Sequence, residues 1–175
     1  FYDPEKGTLG RSYSKWGGFI DDVDRFDALF FEISPREAQF LDPQERLFLE
    51  CAYATLEDAG YTRDGLRDED GTAAVGVFVG VMYEEYQLYG AQAQALGEPF
   101  ALGGSASSIA NRVSYYCNLQ GPGLAVDTMC SSSLTAIHLA CRSLRSGECR
   151  AAIAGGVNVS VHPNKYLAIS QAQFA

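Results

Sequence analysis

Histidine is scarce in this chain. Only two occur in 175 residues, and none of the five cysteines forms a C-x-x-C pair. The cysteines stand at 51, 117, 130, 141 and 149, an odd number, and neither histidine has a ligand spacing. These absences argue against a disulfide framework and a zinc site, and reduced thiols fit a cytoplasmic protein. Basic residues are also few: 13 Lys and Arg face 22 Asp and Glu, a formal charge of −9. Nucleic-acid binding needs a clustered basic surface, which this balance disfavours. The longest apolar run, Ala73 to Met82, holds ten residues and two glycines. It is too short to span a bilayer, and no basic segment followed by an apolar one opens the chain as a secretion signal would. No membrane association is therefore expected.

What is present suits one globular domain. Hydrophobic residues make up 47% of the chain, with no repeat or low-complexity tract. Phe1 to Lys15 reads as a loop, Trp16 to Ile20 as a short strand, and Phe26, Leu29, Phe30 and Phe31 as a core plug. Ser34, Pro35 and Glu37 form a capping-box start for a short helix that Asp42-Pro43 interrupts. A longer helix is expected from Pro43 to Ala59, with an apolar stripe through Leu47, Glu50, Cys51, Ala54 and Leu56. Thr62 to Thr72 reads as a charged surface loop. Ala73 to Val81 is apolar on both faces, as in a central strand with helices on each side.

Tyr83 to Phe100 reads as helix and loop, and Ser105 to Tyr116 as a helix burying Ile109, Val113 and Tyr116. Asn118 to Gly123 is turn chemistry. Leu124 to Met129 is a second strand. Ser131 to Leu144 is a helix with Leu134, Ile137, Cys141 and Leu144 aligned, stopped at Ser146-Gly147. Ala151 to Val161 is a third strand, and its Gly155-Gly156 pair admits close approach by another backbone. Strand, helix, strand in this order predicts an α/β fold with parallel pairing.

Cys130 is the candidate nucleophile. An apolar strand delivers it to a turn, and three serines open the helix behind it. Unpaired N–H groups and the positive helix end favour negative charge there, and the thiolate is the reactive form of a thiol. The same groups suit an oxyanion formed as a thioester carbonyl is attacked, and a thioester product stays reactive enough to relay its acyl group. The other reading is a small buried cysteine, which residue type and spacing alone slightly favour. Cys51 and Cys141 on apolar helix faces, Cys117 by a turn, and Cys149 all read that way. His138 lies about 12 Å along the same helix, too far to touch Cys130. It reads as a surface or packing residue, and His162 before Pro163 as a loop anchor.

V-D-T-M-C-S-S-S-L-T-A-I-H-L-A, Val126 to Ala140, resembles the active-site motif of β-ketoacyl synthases of bacterial modular polyketide synthases. Phe30 to Glu50, Leu56 to Tyr61, Val75 to Gly80, Ser108 to Tyr115 and Ala152 to Asn158 are similar to further stretches of that family, in order. H-P-N-K-Y-L (His162 to Leu167) and G-R-S-Y-S-K-W-G-G-F (Gly10 to Phe19) resemble ketosynthases whose acyltransferases act in trans. The resemblance implies a thiolase-like layered α/β/α/β/α fold and a homodimer. It implies that Cys130 accepts an acyl chain from the phosphopantetheine of an acyl carrier protein, for decarboxylative condensation with a malonyl-type extender. The domain itself would bind no cofactor, and its partners would include neighbouring polyketide synthase domains.

Two departures stand out. Met129 replaces the alanine usual before the family's cysteine, and lines the acyl pocket or the subunit interface as a hypothesis. The family's downstream histidine motifs and its opening strand are absent from residues 1–175, which therefore read as an N-terminal-half fragment, inactive alone. Alternative functions are a non-elongating acyl-transfer ketosynthase and a non-catalytic ketosynthase-like dimerisation scaffold.

Overall fold

The structure is a computed structural model describing residues 1–98, 102 and 104–175. Its centre is a parallel sheet of three strands in the order β2-β1-β3, with β1 at Val75–Val81, β2 at Gly123–Val126 and β3 at Ala151–Val157. Every residue of β1 is buried, as its two-sided apolar pattern requires. Val75, Val77, Val79 and Val81 join one core, whereas Phe78 on the other face packs with Ala136 and Ala140. A strand alternates sides, so β1 alone supplies both. Phe78 is 1% exposed.

Helices cover both faces. The helix α1 (Pro35–Ala38) starts as anticipated: Ser34 Oγ accepts from the Glu37 N–H at 3.1 Å. The reciprocal half of the capping box is diverted, because Glu37 Oε1 accepts from Arg112 Nη1 at 3.0 Å. Next, α2 (Pro43–Asp58) is capped by Asp42, whose Oδ1 accepts from the Gln44 N–H at 2.8 Å. Its buried face differs from the anticipated stripe. Phe48, Leu49, Ala52 and Leu56 are buried, while Cys51 and Ala54 are exposed and Leu47 and Glu50 half-buried. Gln44 and Glu45, polar by type, turn inward because Val159 and Arg112 partner them. The Thr62 to Thr72 loop carries a 3-10 turn, Asp64–Leu66, that buries Leu66.

Farther along, α3 spans Tyr86–Ala95 and α4 Ala106–Cys117. The anticipated loop end at Phe100 lies outside the described residues. In α4 the inward residues are Ile109, Ala110, Val113, Tyr116 and Cys117, and Asn118 closes the helix in the left-handed region. Then α5 runs Ser132–Ser146, with Gly147 at its C-cap at φ 75°. A final helix, α6 (Asn164–Gln171), follows β3; its sequence had not announced it.

Several expectations fail in instructive ways. Trp16 to Ile20 forms no strand, and Trp16 and Phe19 lie exposed with no ladder partner. In the aromatic plug only Phe31 is fully buried, stacked on Phe26, whereas Leu29 and Phe30 face outward. Strand β2 ends at Val126 rather than Met129, and β3 at Val157 rather than Val161. The aligned residues Leu134, Ile137, Cys141 and Leu144 of α5 lie on its exposed face, and Ala136 and Ala140 are the ones against the sheet. Small residues face the sheet because the helix lies close to it; the larger ones are left for another surface.

Candidate active site

Cys130 sits exposed between β2 and α5. The residue before it, Met129, has a φ of 60°, a left-handed conformation costly for a side chain with a Cβ. Both backbone polar groups of Met129 are tied. Its N–H donates to Asp127 Oδ1 at 2.8 Å, and its carbonyl accepts from Ser132 Oγ at 2.6 Å. Ser132 Oγ also accepts from the Thr128 N–H at 2.9 Å, so one hydroxyl ties both sides of the turn. Ser131 Oγ donates to the Thr128 carbonyl at 2.8 Å. The strain at Met129 is thus held by side chains the sequence supplies within five residues, as functional turns often are.

The turn rests on glycine. A Cβ on Gly156 of β3 would lie 2.8 Å from Ser133 Cβ, and Gly80 at the end of β1 is tighter still against Ser132 and Ser133. The Gly155-Gly156 pair was expected to admit a backbone. Gly156 admits the first turn of α5, whereas a Cβ on Gly155 would meet the Phe48 ring on the other face at an ordinary 3.6 Å.

Cys130 opens onto a cavity of about 420 Å³ that also contains Met82, Met129, Asn158, Lys165 and Ile169. Neither histidine lines it. His138 is exposed on α5, and His162 Nδ1 accepts from the Asn164 N–H at 3.1 Å, with its ring against Tyr89. His162 thus anchors the start of α6. Among the other thiols, Cys117 and Cys149 are buried, and burial pushes the Cys117 thiol up against the opposing pull of Arg63. Cys51 and Cys141 are exposed, contrary to their expected burial. Among the described residues no group of His, Cys, Asp and Glu could hold a metal ion, and no helix is long and apolar enough to cross a membrane.

The residues missed from sequence are Gly80, Asn158 and Lys165. Gly80 is the penultimate residue of a strand whose other positions are mostly valine, a signal of close approach that could have been read. Lys165 reaches the cavity because α6 returns the chain to Asn158, just past the end of β3, which no local pattern announces.

The family model for the β-ketoacyl synthase N-terminal domain matches residues 1–175. The chain belongs to the β-ketoacyl synthase family. Over 99% of its length the ketosynthase chain is 66% identical to polyketide synthase PksL of Bacillus subtilis strain 168, and 65% identical to polyketide synthase ThaG of Burkholderia thailandensis. It spans 4% and 3% of those proteins. Among solved structures, it resembles the oxazolomycin ketosynthase domain OzmH KS7 of Streptomyces albus JA3453, with a TM-score of 0.90 and 51% identity. That match covers 98% of this chain and 29% of the solved one. The ketosynthase from module 6 of the bacillaene synthase of Bacillus subtilis 168 gives a TM-score of 0.76 at 38% identity, over 89% of this chain and 25% of that one. The α/β arrangement is therefore that of the N-terminal half of a thiolase-like ketosynthase, as the motifs implied.

Proposed function

We propose that this chain is the nucleophile-bearing part of a polyketide ketosynthase and that Cys130 is its acyl-accepting residue. The observation that carries the reading is the turn at Cys130: a thiol on the cavity, beside a strained and fully tied Met129, at the start of α5. The thiolate attacks the thioester carbonyl of an acyl group held on the phosphopantetheine of an acyl carrier protein. The carrier thiol leaves with the proton that Cys130 gave up, and a new thioester forms on Cys130. At the start of α5 the Ser131 and Ser132 N–H groups are taken by the Thr128 and Met129 carbonyls, and the positive end of the helix favours the developing oxyanion.

Condensation with a malonyl-type extender requires a further group to assist decarboxylation. Neither His138 nor His162 lines the cavity, so residues 1–175 alone form no carbon–carbon bond on this proposal. We assign residues 1–175 to part of a ketosynthase domain completed by further chain, in a cytoplasmic, homodimeric synthase working with neighbouring domains. The exposed face of α5 at Leu134, Ile137 and Leu144 supports a further packing surface. The H-P-N-K-Y-L and opening-loop resemblances support assignment to the type with a separate acyltransferase. The test is carrier-bound acyl transfer by a ketosynthase containing this segment. Transfer and elongation that vanish in Cys130→Ala support the reading, and activity retained in that variant overturns it. Transfer without elongation would instead favour the non-elongating type.

A further inference from the structure

The Cys130 cavity mixes apolar and polar lining, and it holds one cationic side chain. Met82, Met129, Val157 and Ile169 supply apolar surface, and Asn158 and Lys165 join the lining beside the Ser132 and Ser133 positions of the turn. A flexible lysine on a surface points its ammonium into water, but Lys165 is held. Its Nζ donates to Asn158 Oδ1 at 3.2 Å and lies 5.2 Å from the centre of the Tyr83 ring.

The backbone beneath it is fixed as well. Asn164 Nδ2 donates to Glu85 Oε1 at 2.9 Å, which pins the start of α6 against the loop after β1. Glu85 is 5% exposed, and its Oε2 has no hydrogen-bond partner among the described residues. The nearby negative charge favours the protonated form of Lys165, while burial, the larger influence, opposes it and pulls the amine below its ordinary value. An ammonium has three N–H donors. Asn158 takes one and Tyr83 offers its ring face to another, so a donor is left for whatever occupies the cavity.

Resting on the reading of Cys130 as acyl acceptor, the geometry points to Lys165 as a specificity-determining residue that donates a hydrogen bond to an oxygen function on the acyl chain, close to its thioester. The preferred acyl substrates are then chains oxygenated near the thioester, 3-hydroxyacyl groups foremost. A fully reduced chain leaves the Lys165 donor facing apolar carbon in a partly desolvated site. Sites built to hydrogen-bond a hydroxyl discriminate strongly against the analogue without one, because their own polar group is left unpaired. Met129 and Ile169 serve the apolar remainder of the chain. Asn158 and Glu85 are positioning residues that act through Lys165.

The test compares 3-hydroxyhexanoyl and hexanoyl thioesters of N-acetylcysteamine on a ketosynthase containing this segment together with the rest of its domain. Acylation of Cys130 is followed by intact-protein mass. Wild type should acylate faster with the hydroxylated chain. Lys165→Met should lower kcat/KM for that chain about ten- to a hundred-fold, the range for a hydrogen bond to a charged group, while changing hexanoyl less than about three-fold. Lys165→Arg, which keeps a cationic donor, should restore part of the preference. The hexanoyl reaction reports folding of each variant within the same sample. Equal effects of Lys165→Met on both chains, or no effect on either, overturn the assignment of Lys165 while leaving Cys130 in place. A wild-type protein acylated by neither thioester at Cys130 overturns the underlying reading and this inference together.

Discussion

Gly80 lies directly beneath Ser133: a Cβ built on Gly80 would stand 2.5 Å from the Ser133 amide nitrogen and equally close to the Ser132 carbonyl carbon. The neighbouring atoms are backbone, so no side chain can swing aside. The end of the central strand therefore sets the height of the α5 N-terminus, and with it the position of Cys130. Gly80→Ala should lift the first turn of α5 and cost about 1–3 kcal/mol as an overpacking substitution. Acylation of Cys130 should fall further than thermal stability does. A variant that keeps wild-type acylation would show that the contact does not position the thiol.

Ser132 offers a subtler handle on the same turn. Its hydroxyl accepts from Thr128 and donates to Met129, and the residue is buried. Ser132→Ala removes both bonds and frees Met129 to leave its left-handed conformation. Stability should drop by about 1–3 kcal/mol, with acylation slowed at least ten-fold. Ser132→Cys should recover neither in full, because a thiol is a weak hydrogen-bond partner. Denaturant unfolding beside acylation kinetics separates the two effects.

Much of this was readable in the sequence, for physical reasons that can be named. The β1 run is apolar on both faces because helices cover both, and Ser34, Asn118 and Gly147 mark helix ends through local hydrogen bonding and φ preference. The α5 face was not readable. Leu134, Ile137 and Leu144 follow helical spacing, yet the sheet takes Ala136 and Ala140, because Gly80 and Gly156 draw the helix too close for larger side chains. The inward turn of Gln44 and Glu45 depends on Val159 and Arg112, far along the chain. Cys130 was legible as a strand-to-helix thiol; the cavity wall formed by Asn158 and Lys165 was not, since it requires the return of α6.

The pairing of Arg112 with Glu45 predicts an asymmetric mutational response. Arg112 Nε donates to Glu45 Oε1 at 2.7 Å, Ser108 Oγ donates to Glu45 Oε2 at 2.6 Å, and Glu45 is only 4% exposed. Arg112→Met leaves a buried carboxylate without its cation and should cost about 3–5 kcal/mol. Adding Glu45→Gln should return a substantial part of that loss. Urea denaturation of both variants checks it; equal stability of the single and double variants would contradict the pairing.

Asp42 should make stability depend on pH in a direction opposite to that of a salt-bridged carboxylate. Burial, its largest influence, raises its carboxyl above the usual 3.8, the Gln44 N–H partly opposes this, and Glu45 adds to the rise. The folded protein holds the proton more tightly than the unfolded chain. The contribution of Asp42 is therefore present below the unfolded-state value and is lost as pH rises through the folded one. Asp42→Asn keeps the cap and removes the titration, so its stability should fall less than that of wild type from about pH 4 upward. Parallel denaturation profiles across that window would refute the assignment.

The most direct measurement is site-resolved mass spectrometry of a ketosynthase containing this segment after brief incubation with an acyl-pantetheine thioester. The account predicts a single acyl adduct on the peptide carrying Cys130, blocked by prior iodoacetamide and lost in Cys130→Ala. An adduct that persists in Cys130→Ala, or one that forms as quickly on the exposed Cys51 and Cys141, would contradict it.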